Sequence, residues 1–189
     1  EEVTDEHVLI KHIKRESLMH LSAWGLQPRN IYQAMALHAL LDNDIHLVNL
    51  TGPAGSGKTI LALAAAIEMT VANKQYNKII VTRSTPPLAE DHGFLPGTEE
   101  EKMDPWLGAI TDNIEALHIQ DESPQGSIEY VKSKANIQFK ALNYIRGRSF
   151  QRSLILIDES QNLTPHQMKA IITRAGEGSK VICLGNLAQ

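Results

Sequence analysis

The chain is most easily read first by what it lacks. Among 189 residues there is a single cysteine, Cys183, so no internal disulfide can form. Set in the apolar run "KVICLG", that thiol reads as a small buried side chain rather than a reactive group. No apolar run approaches the ~20 residues needed to span a bilayer, and the acidic start "EEVTDEHVLI" has no signal-peptide core. Cytoplasm is the expected location, with no membrane partner. Aromatic residues are only 5% of the chain, and the net charge of −4 excludes a surface uniformly coated in basic residues. The eight histidines show no metal-ligand spacing, which argues against a zinc site. There is no internal repeat and no low-complexity tract.

What is present is punctuation. "LVNLTGPAGSGKTILALAAAIE" passes from an apolar segment through a glycine-rich turn into an alanine-rich, helix-forming run. Gly52, Pro53, Ala54, Gly55, Ser56, Gly57, Lys58 and Thr59 fit the phosphate-loop pattern G-x-x-x-x-G-K-[ST]. Glycines let consecutive N–H groups turn toward an anion, and the following helix adds its positive dipole end. Lys58 would neutralise β- and γ-phosphate charge, and the Thr59 hydroxyl would ligate Mg²⁺.

Apolar, β-branched segments at 46–51, 77–83, 135–142, 153–158 and 180–185 predict five strands. Helices are predicted at 31–41 with Asn30 as its cap, at 59–72, at 104–117, and at 164–176 with Pro165 in its first turn. Region 120–134 has a partly helical pattern. Such alternation specifies an α/β fold, a parallel sheet of about five strands with helices on both faces. Residues 1–23 are expected to be helical or irregular, 1–29 together a lead-in segment, and 30–189 a single domain carrying the phosphate loop. The Pro-, Gly- and acid-rich stretch "STPPLAEDHGFLPGTEEEKMDPW" is long enough to suggest a functional loop.

"LILIDES" has the form of a strand ending in Asp158 and Glu159. In open α/β sheets ligands bind at the strands' C-terminal edge, where Asp158 would hold Mg²⁺ and Glu159 would activate water. A water-activating carboxylate is a liability for a kinase, so the pair favours an NTP-hydrolysing motor or switch. No Asn-Lys-x-Asp motif is present to read guanine, which favours ATP. Asn186 and Gln189, in "GNLAQ", fall one strand over, where a side-chain amide could sense the γ-phosphate.

Charge is uneven. Residues 90–122 hold ten acids and one lysine, whereas 131–152 hold six basic residues and no acid. Arg146 and Arg148, near Tyr144 and Phe150, have the basic and aromatic mixture that binds single-stranded RNA; alternatively they neutralise the acidic segment. Arg83 is a further RNA candidate. Arg174 could serve a neighbouring subunit's ATP as an arginine finger, or complement its own helix's C-terminal dipole.

Together "GPAGSGKT", "HGFLPGTEEEKMDPW", "NYIRGRSF", "LILIDESQNLTPHQMKAIITRAGEGSKV" and "LGNLAQ" resemble the PhoH-like family, closest to the branch in which this ATPase follows a PIN ribonuclease domain. The resemblance runs from about residue 30 to the last residue. It implies a P-loop NTPase of RecA-like build, similar to one half of a superfamily 1 helicase. It further implies ATPase activity with an RNA-linked role, a connection to phosphate starvation, and ring-shaped homo-oligomers, hexamers among them. By family position Gln33 resembles the adenine-reading glutamine, "DESQ" helicase motif II and "GNLAQ" motif III, in which Gln189 would couple phosphate state to nucleic acid. Ser160 replaces the family's usual Ala, Asn186 its common Asp, and Ser84 and Ala89 an expected Pro and Gly. The segments expected to carry an arginine sensor lie beyond Gln189, so a longer natural chain is expected. The alternative from another class is an ATP-gated assembly module without motor activity.

Overall fold

The computed structural model describes residues 2–3, 8–9, 12–84, 99–119, 121, 123–140, 142–145 and 149–186. A short antiparallel pair, β1 (Glu2–Val3) and β2 (Val8–Leu9), precedes a one-turn helix α1 (Arg15–Met19). The body of the fold is a five-stranded, wholly parallel sheet. Its strands are β3 (Leu47–Thr51), β4 (Lys78–Arg83), β5 (Ile137–Phe139), β6 (Ser153–Asp158) and β7 (Lys180–Gly185), in the spatial order β3-β7-β6-β4-β5.

The near-continuous apolar strands are explained by coverage on both faces. Ile79, Val81, Leu154, Leu156, Ile182 and Leu184 point into one core, under α2 (Ile31–Leu41), α3 (Lys58–Ile67), α4 (Glu99–His118) and α5 (Pro124–Lys134). Their alternating neighbours Ile80, Ile155, Ile157, Val181 and Cys183 point into a second core, with Ile145 of α6 (Leu142–Ile145) and Ile171 of α7 (Pro165–Ile172). The α/β architecture with helices on both faces is thus the one the sequence predicts. Among the described residues no helix is long and apolar enough to cross a membrane.

Helix α3 lies at the centre of the larger core. Residues 61–67, four of them alanine, are all buried, so the helix is apolar all round and its neighbours can approach closely. Its end departs from the predicted single helix: Glu68–Ala72 widens into a π turn closed by Asn73 N–H to the Glu68 carbonyl. The Glu68 carboxylate accepts from the Trp24 backbone N–H, tying the lead-in to this turn. β5 is shorter than predicted at both ends: Asn136, at φ 47°, is outside strand geometry, and α6 begins at Leu142. The starts of two helices follow expectation: Asn30 Oδ1 caps α2 by accepting from Gln33 N–H, and Thr164 with Gln167 forms a reciprocal capping box ahead of Pro165 on α7, which ends at Ile172, short of the predicted 176.

Lys180 is a surprise. The first residue of β7, it is fully buried, and its ammonium donates to the carbonyls of Ala39, Leu40 and Asp42 at the end of α2. It supplies the C-terminal cap of that helix from a distant strand. Burial lowers its pKa to about 8, partly opposed by the nearby Asp42 carboxylate.

Candidate nucleotide site

The glycine-rich loop joins the tip of β3 to the first turn of α3. Gly55 and Gly57 take φ 74° and 87°, a region L-residues enter at a cost of about 1–2 kcal/mol, which accounts for glycine at both positions. Gly57 caps α3 without a side-chain acceptor, so the first-turn N–H groups face the loop with no side chain capping them. The Lys58 ammonium donates to the carbonyls of Gly52 (2.7 Å) and Pro53 (2.8 Å) and lies 3.4 Å from Ser56 Oγ. Its charge is therefore held at the mouth of the cradle, where a polyphosphate would be received.

The acids arrive on β6. One strand, β7, separates it from β3, which leaves a cleft between the P-loop and the β6 tip. That cleft has a volume of about 450 Å³ and is lined by residues 54–60 together with Asn113, Asp158, Glu159, Gly185 and Asn186. Lys58 and Asp158, a hundred positions apart in the chain, thus face one cavity. Thr59, Asp158 and Glu159 are among the oxygen-bearing side chains that line it. Among the described residues no cluster of three His, Cys, Asp or Glu exists.

Glu159 turns the chain sharply with φ 53°, ψ 40°, into a 3-10 turn (Ser160–Asn162). Its Oε2 accepts from Gln161 Nε2 at 2.5 Å, and its Oε1 lies 3.7 Å from Arg83 Nη2. Gln161 extends the link, its Oε1 accepting from Asn186 N–H at 3.1 Å. Ser160 Oγ donates to the Leu184 carbonyl at 2.9 Å. On the other side, Gly52 N–H donates to the Gly185 carbonyl at 3.2 Å.

The remaining sequence candidates fall in several places. Gln33 sits beside the loop on α2, its Nε2 donating to the Ser56 carbonyl (3.1 Å) and its Oε1 accepting from Arg29 N–H (2.8 Å). It borders a second cleft, about 560 Å³, on which Tyr32 and Met35 are exposed. Arg83 ends β4 and faces Glu159. Arg174 lies at the opposite, N-terminal edge of the sheet, where its carbonyl accepts from Phe150 N–H. Arg146, Arg148 and Gln189 lie outside the described residues, as does the segment 85–98. Cys183 is buried, its thiol pushed up to about 11 by desolvation.

Two residues escaped the sequence reading, Asn113 in the cleft and Gln161 beside it. Gln161 stood in the quoted "DESQ", but its bridge from Glu159 to β7 depends on strand order. Asn113 enters from α4, and nothing in the sequence signals that this helix reaches the P-loop. A larger groove, about 920 Å³, lies at the far end of α3 beside Trp24, His118 and Tyr130. It contains no glycine-rich loop and no strand-borne acid pair.

The family profile described as PhoH-like protein matches residues 25–189. The chain belongs to the PhoH-like family. Protein PhoH2 of Bacillus subtilis (strain 168) is 46% identical over 167 residues, covering 88% of this chain and 37% of the relative. Protein PhoH2 of Mycolicibacterium smegmatis is 36% identical with the same coverage, and a PhoH-like protein of B. subtilis is 41% identical over 165 residues, 87% of this chain and 49% of the relative. The chain therefore spans less than half the length of these curated relatives. A solved structure, that of C. elegans PCH-2, aligns over 85% of this chain and 39% of its own at 17% identity and TM-score 0.34. The PhoH-like family and the P-loop cleft together define a nucleotide-binding domain of the ATPase type.

Proposed function

We propose that this PhoH-like domain hydrolyses ATP with Mg²⁺ and couples the reaction to single-stranded RNA, as the ATPase segment of a longer cytoplasmic protein. The observation that carries the reading is the shared cleft: the loop cradle, Lys58, Thr59, Asp158 and Glu159 line one cavity.

Thr59 and Asp158 would hold the magnesium, whose charge offsets the build-up of negative charge on the phosphates. The loop amides and Lys58 bind and orient the β- and γ-phosphates. Glu159 accepts a proton from water as the water oxygen bonds to the γ-phosphorus and the bond to the β–γ bridging oxygen breaks, releasing ADP and phosphate. Asn186, just past the end of β7, would sense the γ-phosphate, with Gln189 three residues on as the proposed link to nucleic acid. Gln33 supports the loop and lies on the side where the adenine would emerge. Arg83, Arg146 and Arg148 are the proposed RNA contacts, and a PIN ribonuclease domain upstream is the proposed recipient of the unwound strand.

A second reading is an ATP-gated ring, favoured by one observation. Arg174 lies at the sheet edge opposite its own cleft, so as an arginine finger it could serve only a neighbouring copy.

The test is ATP turnover with and without single-stranded RNA, on the wild type and on Glu159→Gln. The expected result is RNA-stimulated turnover, with Glu159→Gln binding ATP normally and losing turnover about a hundredfold or more. Unchanged turnover in that variant would remove Glu159 from its role. ATP-dependent oligomerisation without RNA stimulation would favour the ring.

A further inference from the structure

Two side chains, one from the turn after β6 and one from the end of β4, meet the Glu159 carboxylate, one at each oxygen. Gln161 donates to Oε2, and the Arg83 guanidinium stands 3.7 Å from Oε1. Sheet pairing fixes this meeting, because Arg83 is the register partner of Asp158 and Ser84 N–H donates to the Asp158 carbonyl. The left-handed backbone of Glu159 then swings its side chain toward β4 instead of continuing the strand.

The two tethers differ in kind. Gln161 is uncharged and anchored at its other end to Asn186 N–H, so it is part of the frame. Arg83 is a cation on the rim, its side chain 40% exposed against 30% for Glu159. An ion pair this accessible is weak, whereas guanidinium binds phosphate strongly and with two parallel hydrogen bonds. A phosphate chain arriving at the tip of β4 can therefore compete for Arg83 without disturbing Gln161.

Resting on the reading of Glu159 as the base, we propose that Arg83 is a positioning residue that holds Glu159 in a resting arrangement, and that a phosphate of single-stranded RNA draws Arg83 away. Release leaves Oε1 open to accept the proton of the attacking water, while Gln161 keeps the carboxylate aimed. RNA binding and hydrolysis are then linked through one exchange of partners on Arg83.

The experiment compares wild type, Arg83→Ala, Arg83→Gln and Arg83→Lys in ATP turnover, each with and without an oligouridylate. Arg83→Ala should raise RNA-free turnover about two- to fivefold, the range a half-exposed ion pair can impose, and abolish further stimulation. Arg83→Gln should do the same, and it decides the matter if the alanine variant does not fold. Arg83→Lys, which keeps the charge but not the guanidinium's fork, should fall between the wild type and the neutral variants without RNA and retain part of the stimulation. RNA-free turnover that is unchanged or lower in both neutral variants overturns the proposal, and so does a wild type that oligouridylate fails to stimulate. Failure of the underlying reading has a different signature: Glu159→Gln would then turn over like the wild type.

Discussion

Ser160 Oγ donates to the carbonyl of Leu184 across 2.9 Å, joining the turn after β6 to the neighbouring strand. Alanine is the residue expected here by resemblance to the family, so this hydroxyl adds a buried link beside the turn that follows Glu159. Ser160→Ala should lower stability by about 1 kcal/mol, the usual net worth of such a bond. For a chain of this size that is a drop in Tm of about 2–4 °C, measurable by calorimetry. An unchanged Tm would show that the link contributes nothing.

Gly57→Ala places a methyl group on a residue at φ 87°, 3.0 Å from Gln33 Nε2. Both strain and contact act against it. The loop should distort, with ATP affinity falling about 5- to 30-fold for a cost of ~1–2 kcal/mol. Equilibrium binding of a fluorescent ATP analogue would measure this, and wild-type affinity would remove Gly57 from the cradle.

Asp158→Asn keeps the shape of the side chain and removes its charge. If Asp158 holds the magnesium, the concentration of Mg²⁺ needed for half-maximal turnover should rise about tenfold or more, while nucleotide binding without metal changes little. Titrating Mg²⁺ at saturating ATP separates the outcomes. An unshifted midpoint would exclude Asp158 as the ligand.

Lys180 gives a pH prediction. Its folded-state pKa of about 8 is below the unfolded value of 10.5, so between those values the unfolded chain binds the extra proton and stability rises with pH. Cys183 and Tyr76 are shifted upward by burial, and oppose this increasingly above pH 9 and 10 respectively. Lys180→Met should lose the rise. From pH 8 to 9 the wild type should gain about 1 kcal/mol relative to the variant by urea denaturation. Parallel pH profiles would refute the shift.

The sheet was legible in the sequence because strands buried on two faces must be almost wholly apolar, as "SLILID" and "KVICLG" are. The loop was legible because few backbones can surround a phosphate, and those few demand glycine at fixed places. Other features depend on relationships that no local pattern encodes. The meeting of Arg83 with Glu159 depends on β4 lying beside β6, and the Gln161 bridge on β7 lying on the other side. Lys180 looks like an ordinary charged residue at a strand start, and only the packed α2 shows where its ammonium goes. Asn136 shortens β5 through a single backbone angle that its residue type permits but does not dictate.

The position of β7 has a mechanical consequence. Its adjacent end residues hold different partners, Gly185 through its carbonyl to the start of the phosphate cradle and Asn186 through its N–H to the Gln161 arm that steadies Glu159. Both jaws of the cleft are thus moored to the same strand end, two residues wide.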